Sequence, residues 1–585
     1  MKRTVLVAAA LLAGFASFNA PCATFPPEGW QEKVNPIANP HAVKGGILRF
    51  SASQPPKSLN YYVDPTLYTH YMFSLMFETL LGIDPVSYEF TPGLASRWEI
   101  SDDGLTFTFE LDKDARWSDG VPVTPEDVQW TYDAIMNPSN ATGPFKVSLG
   151  NFKRPEIVGE RKIRFQARQN HWRNLLGCGD FEILPKHAFA SQPFNRLDLD
   201  HPVVSGPYIV SSVKEQIEVR LARRPDWWAV DRPSNKGTMN FDTIVFRYFA
   251  DQVNAFEAFK KGITDIYPVY SARMWANETI GEKFDKNWIV KARVHNHHPI
   301  GFQGFAMNMR RPPFDDLRVR KAIAHLVDRK TMNQTMMFNA YFMLRSYFSD
   351  LYDEAHPCTN RQFEYDEEKA EALLREAGYV KNPATGILEK DGRPFSFTFL
   401  TRDSSSDKIL VLCNKAFKKV GIEMKIDRKD WAAWMRDMDE YNFDITWASW
   451  SGSVMRDPES MWLSTEADKP ASNNVTGLKD PQIDALIEKQ KTVYSVTERN
   501  KLLRQIDARL TEQVPYVLLW NINAVRLLYW DAFGTPRAVL SKYGDEQAAL
   551  CYWWYDADSA AELKHAMTHG EVLPKRPVDI FYDER

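Results

Sequence analysis

The sequence predicts a mixed α/β fold with more than one sheet, and three observations carry that reading. The 585 residues are 44% hydrophobic and 25% charged, an ordinary globular balance that supplies a large core. Strict alternation in Leu105-Thr106-Phe107-Thr108-Phe109-Glu110-Leu111 marks a half-buried strand. Capped amphipathic helices recur among such strands in both halves of the chain, which is the pattern of α/β folds. The length suits several domain-sized units rather than one. With 72 basic against 76 acidic residues and no block of like charge, nothing favours a nucleic-acid partner.

Lys2 and Arg3, the apolar run Val5 to Phe18 and the small residues Ala20 to Ala23 form the n-region, h-region and cleavage pattern of a secretory signal. Residues 1–23 are therefore read as a signal peptide cleaved near Ala23, with export to the periplasm. Pro21, where lipoprotein signals carry Gly or Ala, argues against a lipid anchor at Cys22. Export leaves Cys178, Cys358, Cys413 and Cys551, which either pair in one of three ways or remain thiols.

Each element has a local cause. Lys44-Gly45-Gly46 introduces the strand Ile47 to Phe50, which runs into the polar loop Ser51 to Asn60, where Ser53 is a candidate ligand contact. Trp98-Glu99-Ile100, the turn Asp102-Asp103-Gly104 and the alternating run after it read as an antiparallel hairpin. Thr124-Pro125-Glu126-Asp127 starts the helix that contains Val128 to Met136. Asp251 caps Val253 to Lys261, which Gly262 stops before a strand expected at Ile263 to Ile266. A long helix is expected from Leu317 to about Met337, another from Asp366 to Ala377, and two more from Pro481 and from Thr497-Glu498 on to Val514.

The search for covalent chemistry returns little. Gly-x-Ser-x-Gly, Gly-x-x-x-x-Gly-Lys and His-Glu-x-x-His are all absent from the sequence. His295-Asn296-His297-His298 is followed by Pro299 and a strand-like Ile300 to Met309, with no Cys or carboxylate at metal-site spacing, so neither a metal nor a cofactor is assigned. A pair of catalytic carboxylates that meets only in space keeps an exported hydrolase as a lesser alternative. The densest constellation comes late: Asp430-Trp431, Trp434, then Ile445 to Trp450, Ser451-Gly452-Ser453, Arg456-Asp457 and Trp462. On a strand, Trp447 and Trp450 point to opposite faces, so one ring is expected in a core and the other toward a cavity. Aromatic rings beside hydroxyls, an Arg and an Asp suit a ligand with apolar faces and polar edges; ordinary packing with a solvated turn is the competing reading.

Gly93-Leu94-Ala95-Ser96-Arg97-Trp98, Ser101-Asp102-Asp103-Gly104 and Trp117-Ser118-Asp119-Gly120-Val121-Pro122-Val123-Thr124-Pro125-Glu126-Asp127 resemble the signature of family 5 extracellular solute-binding proteins, the peptide/nickel-type receptors of ABC importers. Ile183-Leu184-Pro185-Lys186-His187, Ser205-Gly206-Pro207-Tyr208, Arg224-Pro225-Asp226-Trp227-Trp228 and Pro312-Pro313-Phe314 extend the resemblance along the chain. Leu528-Tyr529-Trp530-Asp531-Ala532-Phe533-Gly534 with Trp553-Trp554-Tyr555-Asp556 looks like the long oligopeptide-receptor branch.

The resemblance implies a periplasmic binding protein-like fold (type II, cluster C), two lobes joined by a two-strand hinge, plus an extra inserted domain. Domain I is expected from residues 24–68, 201–300 and 525–585, domain II from 69–200 and domain III from 301–524. The implied function is capture of an oligopeptide or peptide-like solute in an interdomain cleft by hinge closure, without catalysis, and delivery to an inner-membrane ABC permease by a monomeric receptor. An oligosaccharide receptor of the same family is the alternative. Ligand contacts are expected at Ser53, Trp431, Trp447, Trp450, Ser451, Ser453, Arg456 and Asp457. The charged positions with which such receptors hold peptide termini are largely neutral here: two basic positions fall on Met438 and Trp447, a His position falls near Ser406, and the Asp position falls on Ser453 or Val454 with Asp457 nearby. A buried charge without a partner is costly, so this argues against short peptides bound in that same pose.

Overall fold

The computed structural model describes residues 23–27, 29–199, 203–402, 404 and 406–583. The signal-peptide calls on residues 1–22 and the domain boundary expected at 200/201 lie outside them. The chain forms two compact units: unit 1 comprises residues 1–270, 277–296 and 524–585, and unit 2 comprises 271–276 and 297–523.

Unit 1 carries two large sheets over one continuous core. The smaller contains the expected hairpin: Ala95–Ile100 pairs antiparallel with Thr106–Leu111, whose residues alternate between half-buried and buried. In the larger sheet Ile47–Ala52 lies parallel to both Thr243–Tyr248 and Ile266–Pro268. Val525–Trp530, from the far end of the chain, inserts antiparallel between Ile266–Pro268 and Ile289–His295. The strand expected at Ile263 to Ile266 begins instead at Ile266. The cause is Asp265: its Oδ2 accepts the Arg49 N–H at 2.6 Å, so a side chain takes the place of a ladder partner.

Unit 2 is built on a five-stranded sheet in the order Glu423–Arg428, Ser396–Thr401, Ile445–Trp450, Phe302–Met307, Tyr516–Leu518. Phe302–Met307 runs antiparallel to Ile445–Trp450 with Phe305 opposite Trp447 and Phe302 opposite Trp450. Alternation along the strand sends Phe305 and Met307 into one hydrophobic cluster and Phe302 and Ala306 into a second, so this sheet is covered on both faces.

Most capped helices form where the sequence places them. Asp127 Oδ2 accepts the Thr124 N–H at 2.9 Å at the start of Pro125–Met136, and Asp251 accepts from Asn254 at the start of Gln252–Lys260. The long helix expected from Leu317 is two helices, Leu317–His325 and Arg329–Met336, because Asp328 turns its carboxylate onto the Thr331 N–H and starts a second helix. Likewise Ser495 rather than Thr497 caps Val496–Gln513. All four described cysteines are thiols, with Cys178 and Cys413 buried. Among the described residues no helix is long and apolar enough to cross a membrane.

At the end of the central strand pair the backbone segments around Gly301 and Gly452 almost touch: a Cβ on Gly301 would lie 2.0 Å from the Trp450 carbonyl oxygen, and one on Gly452 2.7 Å from that of Pro299. Gly301→Ala is therefore expected to destabilise the protein by about 2–3 kcal/mol, read from urea unfolding. Wild-type stability in that variant would show that the approach is not constrained.

Candidate functional site

The sequence-predicted residues of unit 2 fall at the end of this strand pair. Trp447 Nε1 donates to Gln303 Oε1 at 3.0 Å, and its ring stands edge-on to Phe305 and Trp520 at 5.5 and 5.9 Å. Trp450 Nε1 donates to the Tyr516 hydroxyl at 3.1 Å, and its ring packs on the opposite cluster. Each ring packs against a core, as is expected of at least one of them. Both are half-buried and packed, because the sheet has a core on each face.

The loop that follows is more open. Ser451 and Ser453 are exposed, and Ser453 Oγ donates to the Met455 carbonyl at 3.2 Å. Arg456 is held by Asp350, with Nε 3.3 Å from Oδ1 and a closer contact from Nη2 to Oδ2. Asp457 Oδ1 accepts from the Glu459 N–H at 3.1 Å and from Gln490 Nε2 at 3.4 Å. Trp431 opens the helix Trp431–Asp439, is 58% exposed and stacks on Trp434 at 5.3 Å, with the Arg402 guanidinium over both rings. Met438 and Ser406, where charge was sought, are both buried, and Ser406 Oγ lies 3.4 Å from Thr401 Oγ1. This face of unit 2 is aromatic and hydroxylic, and its Arg456 charge is spent on Asp350.

Ser53 belongs to unit 1, and there the structure reveals a second group of polar residues. Ser53 follows the end of the strand Ile47–Ala52 and acts on the Tyr68 phenol. Tyr68 and Tyr71 come from the helix Leu67–Met76, which Thr66 caps, and their rings meet edge to face at 5.9 Å. Tyr270 lies just past the strand Ile266–Pro268, parallel to Ile47–Ala52. Its hydroxyl donates to Glu546 Oε1 at 2.7 Å. Ligand groups gather at the carboxyl ends of parallel strands in open α/β sheets.

Glu546 is only 3% exposed. Its loop is pinned by Asn296 Nδ2, which donates to the Ser541 and Gly544 carbonyls at 2.8 Å each, and by Tyr543, which packs edge-on to Tyr88 at 5.1 Å. Burial and the adjacent Asp545 carboxylate push the Glu546 carboxyl up to about 7. Burial, with the negative charge of Glu546, pushes the Tyr68 phenol up to about 12, and the same causes together with Asp545 raise Tyr71 further. Sequence reading names Ser53 as a candidate and does not name Glu546, because an Asp-Glu pair between Gly544 and Gln547 reads as a solvated turn until its burial is known.

The upward shift sets the sign of a pH effect. Below the ordinary value of 4.5 Glu546 is protonated both folded and unfolded; between 4.5 and about 7 the unfolded chain ionises first, so folding loses stability as pH rises through that window. Glu546→Gln removes this cost. The variant is expected to gain stability over wild type as pH is raised from 5 to 8 and to show little gain at pH 4.5, read as the difference in Tm across pH. A pH-independent difference would contradict the assigned burial of the charge.

With this geometry described, comparison with known proteins places the chain. The profile of the bacterial extracellular solute-binding proteins, family 5, matches residues 89–471. YejA of Escherichia coli K12, described as uncharacterized, is 28% identical over 575 residues that cover 91% of this chain and 92% of YejA. A probable peptide-binding protein YejA of Agrobacterium fabrum is 28% identical over 556 residues, covering 86% and 89%. Among solved structures, the oligopeptide-binding protein AppA of Bacillus subtilis superposes with a TM-score of 0.69 at 22% identity, covering 88% of this chain and 99% of AppA. DppA of Helicobacter pylori does so with a TM-score of 0.70 at 19% identity, covering 88% and 99%. The mixed α/β architecture is therefore the type II periplasmic binding protein fold of these structures. Since the profile spans more than half of the sequence, the chain belongs to the family 5 bacterial extracellular solute-binding proteins.

Proposed function

We propose that this protein is a monomeric periplasmic receptor that captures an oligopeptide or peptide-like solute by hinge closure, without chemical turnover, and delivers it to an inner-membrane ABC permease. In this reading residues 24–68, 201–300 and 525–585 make domain I, 69–200 domain II and 301–524 domain III. Family membership is the observation that carries it. The choice of a peptide is supported by AppA, solved with a nonapeptide, by DppA, solved with the peptide STSA, and by the relative described as a probable peptide-binding protein. Ser53, Trp431, Trp447, Trp450, Ser451, Ser453, Arg456 and Asp457 remain the proposed contacts. Of these, Trp431 and the exposed loop hydroxyls are the most accessible, while Trp447 and Trp450 offer only the ring edges that packing leaves open.

The stacked Trp431 and Trp434 rings favour a second reading, an oligosaccharide receptor, since flat aromatic faces also stack on sugars. Thermal shift separates the two. A solute at 100 times its Kd stabilises the folded protein by about 2.7 kcal/mol and is recovered unchanged. Stabilisation by a peptide pool but not by oligosaccharides is expected, and the converse would replace the peptide by a sugar. Trp431→Ala is expected to lower solute affinity roughly 3- to 30-fold in calorimetry while changing stability by no more than about 0.5 kcal/mol, because the ring is exposed. Unchanged affinity would remove Trp431 from the site.

A further inference from the structure

The large sheet of unit 1 has a second face, turned away from the core. Val245 lies opposite Arg220 on one neighbouring strand and beside Arg49 on the other, and the Trp530 N–H reaches the Asp265 carbonyl at 3.2 Å. Alternation sends Leu48, Phe50 and Phe246 into the core and this row to the opposite side. Beside Arg49 and Trp530 is a groove of about 470 Å³, a size usual for small-ligand sites. The helix Ala557–His569 lines it with Ala560, Leu563, Lys564, Met567 and Thr568, which share one helical face. Lys261 and Gly262, at the end of the helix Gln252–Lys260, line it together with Lys283, Trp530 and Phe533.

The lining joins two kinds of surface. Met567 is 42% exposed and Tyr555 38%, so apolar side chains are left to water at the groove. Around them stand four cations, Arg49, Lys261, Lys283 and Lys564, with Asp265 as the acid among the described lining residues. That acid is already engaged: Asp265 accepts the Arg49 N–H at 2.6 Å and the Arg49 Nη1 at 3.3 Å. Lys283 donates to the Lys260 carbonyl and lies 5.4 Å over the Trp530 ring. Lys261 and Lys564 have no hydrogen-bond or ion-pair partner among the described residues. Beyond Gly262 a smaller depression of about 320 Å³ adds Arg220 and Arg247, both bridged to Glu218. The field over the groove is therefore positive.

We propose that this groove binds one molecule of an anionic amphiphile, a carboxylate with an alkyl tail, with the tail against Trp530, Leu563 and Met567 and the head at the ammonium groups of Lys261 and Lys564. Each part of the lining then has a partner. A cationic amphiphile would meet like charge, and a small anion would leave the apolar lining wet. A free fatty acid and an anionic lipid in a bilayer share this chemistry; the size of the groove favours a single free molecule. The inference goes beyond the receptor reading and does not depend on it.

The test uses the mature full-length protein and titration calorimetry with decanoate, octanoate, acetate and decyltrimethylammonium, all below micelle formation, and sedimentation with phosphatidylglycerol vesicles. Decanoate is expected to bind, and octanoate to bind roughly 5- to 15-fold more weakly because two methylenes are lost. Acetate and decyltrimethylammonium are expected to give no measurable heat. Lys564→Glu should weaken decanoate roughly 5- to 20-fold and Met567→Gln about 3- to 5-fold, with the Tm of each variant unchanged because both side chains are exposed. Wild-type affinity in both variants, equal binding of decyltrimethylammonium, or no heat with decanoate would overturn the inference. Vesicles retained by a protein that ignores decanoate would overturn the single-molecule occupant and assign the surface to a bilayer.

Discussion

A carboxyl group held out of water is the constraint on which this part of unit 1 turns. Glu546 is almost completely buried, and the Tyr270 phenol donates to it. Such a group is kept in place only by a frame that cannot relax around it. The frame is visible. Asn296 clamps the loop through two carbonyls, Tyr543 leans on Tyr88, and Asp545 accepts the Gln547 N–H within the loop. The strand Val525–Trp530, which leads the chain toward this loop, is locked between two partners inside the large sheet.

Unit 2 solves a different problem. Its central strands are apolar on both faces, and the tryptophans that look in sequence like ligand platforms are shared with the two cores, each tied by its indole N–H to Gln303 or Tyr516. Rings fixed in this way present edges of known orientation and lose little entropy when a ligand arrives. Arg456 is neutralised by Asp350, and the buried Met438 and Ser406 carry no charge. The two units therefore differ in character: one offers an aromatic and hydroxylic face with Arg402 and Asp457 beside it, the other the buried Glu546 among phenols.

Much of the fold was legible in the sequence because local signals and tertiary packing agree. The hairpin through Gly104, the capped helices at Asp251 and Asp366, and the strand after Gly46 all stand where their residues place them. The errors share one cause, a side chain that replaces a backbone partner. Asp265 bonds the Arg49 N–H and delays a strand; Asp328 bonds the Thr331 N–H and divides a helix. Spacing and propensity do not register such choices. The candidate site was legible only as residue types. Trp447 and Trp450 were recognised as aromatic, but which faces are covered depends on strands more than a hundred residues away. Glu546 carried no signal, since burial is a property of the folded chain.

The most direct measurement is a crystal structure of the protein with the solute it retains on purification, at a resolution that distinguishes nitrogen environments by their hydrogen-bond lengths. A peptide or peptide-like solute against the Trp431 ring and the Ser451 and Ser453 hydroxyls is the predicted result. A sugar in that place, or a solute that touches none of these residues, would contradict it.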